Sequence, residues 1–269
     1  MSSFVEILSP AMERELVSRF GGPGVPLALL GSYARGEAGP FSDIDVVRFA
    51  DGEGFRSTDA SYFVRGKLAV VSTASPDDVE SWFERPESIV DHVGGMRQAQ
   101  VLADEDGVVA DVRERALAFR WTPELSRRAD AWVADQMVGW IEEVFKGLEG
   151  LRRDDVGRLL NARFGLSWGL SRVMVVHRRL LLEGDNAMHA ALERSLGGSS
   201  SWIALRDRAF GVTGTEDAET LRGHVRAGIE LYRETAALVA DRLAPDRRDL
   251  VEATLAAIAE ELGAYRRPG

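Results

Sequence analysis

Residues Leu27 to Val47 read LALLGSYARGEAGPFSDIDVV, and the fold is decided there. Pro26 to Leu30 is a short, wholly apolar run, the pattern of a buried strand. It gives way at Gly31-Ser32 to a polar turn, and a second strand opens at Asp43-Ile44-Asp45. Alternation along that strand puts Asp43 and Asp45 on one face and Ile44 on the other. Two neighbouring carboxylates repel each other. A hard divalent cation removes that repulsion, and Mg²⁺ typically takes one or two carboxylates together with phosphate oxygens and water. Across the turn, glycine lets a phosphate approach the backbone at Gly31. Free N–H groups and the Ser32 hydroxyl donate to it. Arg35 adds a charge-assisted contact.

Outward from this unit the chain changes character once. Up to about residue 120 it is mixed. Ser9-Pro10 caps a helix whose stripe is Met12, Leu16, Val17 and Phe20, ended by Gly21-Gly22. Ile44–Phe49 reads as a strand. Ser61–Ser72 reads as one long strand or a hairpin broken near Gly66. Ser75 caps a further helix, and Arg97–Ala103 is expected to be a strand closed by Glu105-Asp106-Gly107. From Thr122-Pro123 onward the pattern is helical: to about Leu151, from Asp155 to Leu182 with a stop at Gly184, after Asn186, from Ser201-Trp202, over Glu216–Leu243 and over Pro245–Ala264. Trp132, Met137, Trp140, Trp168, Met174 and Trp202 are expected in the bundle core. The fold class is α+β, a small mixed sheet followed by an all-α bundle, with domains at 1–121 and 122–269.

Composition bounds the function. The 269 residues carry 33 Lys+Arg against 43 Asp+Glu, a net charge of −10, which disfavours nucleic acid and anionic membranes and suits a cationic or neutral partner. Cysteine is absent, excluding disulfides, thiolate zinc sites and Cys nucleophiles. The four histidines have no HxxxH spacing. No apolar run approaches the ~18 residues of a membrane span, and the N-terminus lacks a signal layout, so a cytoplasmic location is expected. A phosphate cradle facing an acid pair across one turn is what nucleotidyl transfer requires, with metal orienting the triphosphate and neutralising the leaving pyrophosphate.

Gly31-Ser32-Tyr33-Ala34-Arg35-Gly36, followed by Ser42-Asp43-Ile44-Asp45-Val46, resembles the signature of the DNA polymerase beta-like nucleotidyltransferase superfamily. The helical second half makes the chain similar to the aminoglycoside nucleotidyltransferase branch. The resemblance implies a nucleotidyltransferase domain followed by a helical substrate domain. Asp43 and Asp45 would hold Mg²⁺, and Gly31, Ser32, Arg35 and Ser42 a nucleoside triphosphate such as ATP. A nucleoside monophosphate would pass to a hydroxyl of a small molecule, an aminoglycoside-like antibiotic among the candidates, conferring resistance. It also implies a third carboxylate on a neighbouring strand, yet GKLAVVS (Gly66–Ser72) has none, and Ala69 or Val70 stands in its place. Asp51, Glu53, Asp59, Asp77 and Asp78 lie nearby in sequence, with nothing in the spacing to single one out. The missing acid opens an alternative, a nucleotide-binding regulatory protein with reduced or lost catalysis. In the antibiotic-modifying branch an acid from the second domain is the general base, which here points to Glu142 and Glu143. Successive helical residues point about 100° apart, so at most one of these faces the site.

Overall fold

The structure is a computed structural model that describes residues 7–212, 221–243 and 245–264. The chain divides into two compact units, Met1–Trp121 with Leu181–Ala187, and Thr122–Leu180 with Met188–Gly269. The short return of residues 181–187 to the first unit is absent from a single cut at 121/122.

The first unit runs α1 (Pro10–Phe20), β1 (Leu27–Leu30), α2 (Gly31–Arg35), β2 (Ile44–Phe49), α3 (Glu53–Arg56), β3 (Ala60–Val64), β4 (Lys67–Ala74), α4 (Pro76–Glu84), α5 (Pro86–Met96), β5 (Gln100–Ala103) and α6 (Val108–Ala118). One five-stranded sheet has the order β3-β4-β2-β1-β5. It is mixed, because β2 and β4 pair in parallel while the other neighbours are antiparallel. Ser9 accepts a hydrogen bond from the Met12 N–H at 3.2 Å, which starts α1 where the cap signal puts it. Met12, Leu16 and Phe20 of α1 share a core with Leu27, Leu29, Ile44, Val46, Ala69 and Val71 of the sheet. Strand alternation therefore turns Asp45, Val47, Val70 and Ser72 to the opposite face.

One open alternative is resolved and one expectation shifts. Ser61–Ser72 is a hairpin, turned at Arg65-Gly66, both with positive φ. Arg97 is not in a strand; it follows α5, and its guanidinium donates to the carbonyls of Ala116 (2.8 Å) and Phe119 (3.2 Å), tying down the end of α6.

The second unit holds α7 (Pro123–Gly139), α8 (Ile141–Arg153), α9 (Val156–His177), α10 (Met188–Leu196), α11 (Ser201–Phe210), α12 (Leu221–Leu238) and α13 (Pro245–Ala264). α9 is the central helix, packed by α7, α8, α11 and α12. The single helix expected from Thr122 to Leu151 is two, broken at Trp140, whose ring lies on Gly169 of α9, where a Cβ would come within 2.1 Å of it. The helix expected to reach Leu182 stops at His177. Arg179 adopts a left-handed conformation and bonds the carbonyls of Val176 and Ser126 and the carboxylate of Asp130. Trp202 is fully buried and donates to Thr235 at 2.7 Å. Trp168 is about half exposed, edge-on to Phe210, and so is not core. The helix expected from Glu216 is described from Leu221; its first residues lie outside the described residues.

Candidate functional site

The site is built where β1 hands over to α2 beside the start of β2. Leu30 pairs with Asp45 across the antiparallel ladder, so the residue after Leu30 comes down on the Asp45 side chain. That residue is Gly31, at φ +66. A Cβ built there would lie 1.9 Å from the Asp45 carboxylate oxygen Oδ2. Glycine is required twice over, by its left-handed backbone and by the closeness of the acid. The carboxylate thus rests against the backbone at the α2 start, where first-turn N–H groups lack intrahelical acceptors.

A cleft of about 770 Å³ opens here, lined by Gly31, Ser32, Arg35, Ser42, Asp43 and Asp45 among others. All six residues expected from the sequence to hold phosphates or metal thus line one concavity. Their commitments differ. The Ser42 hydroxyl accepts the Gly39 N–H at 2.9 Å and the Ser42 N–H donates to the Gly39 carbonyl, so Ser42 also staples the turn before β2. Arg35 donates Nε–H to Glu37 at 2.8 Å and Nη1–H to the Glu183 carbonyl at 2.7 Å.

Asp45 carries the clearest electrostatic signature. Burial chiefly, and then the neighbouring charge of Asp43, push its carboxyl up to about 6, with Arg35 pulling the other way. The protein itself leaves this acid pair under-compensated. An all-oxygen donor pair with surplus negative charge fits a hard divalent cation. Among the described residues, however, no group of three or more His, Asp or Glu side chains is gathered as a metal cage. The register gives the reason: β4 sets Val70 directly beside Asp45. Two of the acids weighed from sequence have different work. Asp59 holds Arg48 and Thr73, and Asp78 completes the Ser75 capping box.

Glu142 and Glu143 lie in the first turn of α8, in the second unit. Lys146 bridges both, at 2.9 and 2.7 Å. Glu142 is exposed, whereas Glu143 is largely buried against Gly165 and leaves Oε2 without a hydrogen-bond partner.

Sequence reasoning missed one wall of the cleft, Glu183 to Asn186. This strap lies on α5, where the Leu182 N–H donates to the Val90 carbonyl at 2.8 Å. A Cβ at Gly94 would sit 2.1 Å from the Leu182 carbonyl oxygen, so only glycine admits the strap. Gly94-Gly95 inside a helical pattern was the available signal, since a glycine there often marks a close backbone approach. Phe41, fully exposed on the cleft wall, was also passed over.

Part of this geometry lies in a region similar to a known family. Residues 11–91 match a family described as "Nucleotidyltransferase domain", covering all of the sheet but β5. A solved structure of a nucleotidyltransferase-like protein from Exiguobacterium sibiricum 255-15 aligns with 96% of this chain and 82% of its own. The sequence identity is 11% and the TM-score 0.48. No curated protein matches. Among the described residues, no helix is long and apolar enough to cross a membrane.

Proposed function

We propose that the first unit binds a nucleoside triphosphate with Mg²⁺ and transfers the nucleoside monophosphate to a hydroxyl of a small molecule. The observation that carries this reading is the Asp45 carboxylate pressed against the Gly31 backbone, with Asp43 beside it and Arg35 on the same cleft. Asp43 and Asp45 would hold the cation, which when bound polarises the phosphate oxygens and neutralises charge on the leaving pyrophosphate. The Gly31 and Ser32 backbone and the Ser32 hydroxyl orient the phosphate tail, and Arg35 fixes one end of it by a charge-assisted contact. The hydroxyl of Ser42, whose oxygen already accepts from Gly39, retains a proton to donate. Phe41 offers a face on which the base can stack. ATP is the expected nucleotide. A cationic acceptor, aminoglycoside-like in chemistry, agrees with the net charge of −10. Glu143, with its unpartnered Oε2, is the second unit's candidate for the base.

The test is pyrophosphate release from ATP and Mg²⁺ with a panel of amino-bearing acceptors, together with calorimetry of MgATP. We expect Asp43→Asn with Asp45→Asn to lower release by about 10²–10³-fold, the range found when charge stabilisation is removed. Release unchanged by the double substitution would end this reading.

A second reading has one observation behind it. Val70 occupies the strand position beside Asp45 where a third acid would complete the metal site. On that basis the protein binds nucleotide as a regulator and turns it over slowly or not at all. MgATP binding without pyrophosphate release is its signature.

A further inference from the structure

A second cavity, of about 290 Å³, shares Gly31, Asp45, Glu183 and Gly184 with the cleft and extends along the sheet toward α5. Its walls are Val70 and Ser72 of β4, Trp82 of α4, and Asp91, His92 and Met96 of α5, among others. Both concavities are lined by acids, but Arg35 lines the cleft and, among the described residues, no Lys or Arg lines this cavity. Asp45, Asp91 and Glu183 offer carboxylates to an amine, and a phosphate finds no cationic side chain here. Its size suits a single ring with substituents, and its mixture of apolar walls with a few polar groups is that of a small-molecule seat.

His92 is held in a definite orientation. Its ring stacks on Trp82 with centroids 4.7 Å apart and planes 8° from parallel. Its Nδ1 lies 2.9 Å from the Ser88 carbonyl oxygen, an acceptor, so Nδ1 carries the proton. That leaves Nε2 as the ring nitrogen with a lone pair for a ligand. Neither the stack nor the hydrogen bond is used by the phosphate cleft.

We propose that this cavity seats the acceptor, a hydroxyl-bearing ring compound with a positively charged amine, and that His92 takes the proton of the reacting hydroxyl. The assignment rests on the transfer reading above and gives the role of base to the first unit rather than to Glu143. The step balances. The acceptor O–H proton passes to His92 Nε2, and the oxygen lone pair forms the new bond to the α-phosphorus. The electrons of the bond between the α-phosphorus and the bridging oxygen leave with pyrophosphate.

Glucosamine serves as probe, with the full chain and with His92→Gln. Diethyl pyrocarbonate modifies neutral imidazole nitrogen, and mass spectrometry locates the adduct. We expect His92 to be modified, glucosamine to protect it, and MgATP alone to leave it reactive. Protection by MgATP alone, or by neither compound, overturns the seat. In pyrophosphate release with glucosamine, His92→Gln should lose about 100-fold in kcat while its affinity for MgATP by calorimetry is unchanged. An unchanged kcat, or a wild type that binds both compounds without release, overturns the proton transfer. If MgATP does not bind wild type, the transfer reading itself fails, whereas MgATP binding with His92 unprotected removes this inference alone.

Discussion

The two ends of β2 show opposite uses of charge. Near its C-terminal end the buried Arg48 guanidinium donates to the Phe55 carbonyl, the Thr58 hydroxyl and the Asp59 carboxylate at 2.8, 3.0 and 2.8 Å. Asp59 in turn accepts from Thr73. Burial alone raises its carboxyl, but the hydrogen bonds from Thr73 and Arg48 outweigh that and hold it below the usual range. At the N-terminal end, burial and the neighbour Asp43 leave Asp45 raised to about 6. One end spends its charges on the fold. The other leaves an acid pair without a matching cation from the chain. Such under-compensated groups are where the proposed nucleotide and cation would act.

That contrast can be broken at either end. Asp59→Ala should cost about 3 kcal/mol in urea unfolding, because it strips a buried arginine of its counter-charge. A cost under about 0.5 kcal/mol, the size of a surface effect, would reduce the Arg48 network to decoration. Val70→Asp sharpens the other end by placing a third acid beside Asp45. Calorimetry should show Mg²⁺ bound about tenfold more tightly, worth about 1.4 kcal/mol, and weaker binding would show that the β4 register is not a ligand position.

Asp45→Asn tests the cost of the acid itself. Because burial and the charge of Asp43 raise its carboxyl to about 6, above the ordinary 3.8, the ionised group opposes folding. The penalty is absent below pH 3.8, grows as pH rises and is complete above about pH 6. The variant should therefore exceed wild type by about 1 kcal/mol at pH 8, after discounting for solvent screening, and match it at pH 3.5. Thermal melts across that range read the effect, and Mg²⁺ should raise the Tm of wild type but not of the variant. The smallest effect is expected far from both ends, at the exposed i,i+4 pair of Glu124 and Arg128. There Arg128→Ala should cost only about 0.3–0.5 kcal/mol by the same unfolding assay.

Much of the first unit was legible because its signals are local. Gly31-Ser32 ends a strand, and Asp43 and Asp45 alternate with Ile44, so their shared face follows from the period of the strand alone. Their meeting at one cleft follows from a tight strand–turn–strand connection, which leaves few alternatives. The helical half was legible in kind but not in its breaks. Trp140 interrupts a helix because its ring finds room over Gly169, and Arg179 ends another because it reaches Ser126 and Asp130, both tertiary events.

The α+β class, the acid pair, the glycine at the strand end and the lack of an acid in GKLAVVS could be read from the chain because each depends on neighbours within a few residues. Packing alone sets which residue stands beside Asp45, that residues 181–187 form a cleft wall over Gly94, and that His92 and Trp82 line a cavity opening on the same carboxylate. Register between strands and the return of a distant segment are set by packing across the whole unit. No local pattern encodes a contact between residues 94 and 182 beyond the glycine that permits it.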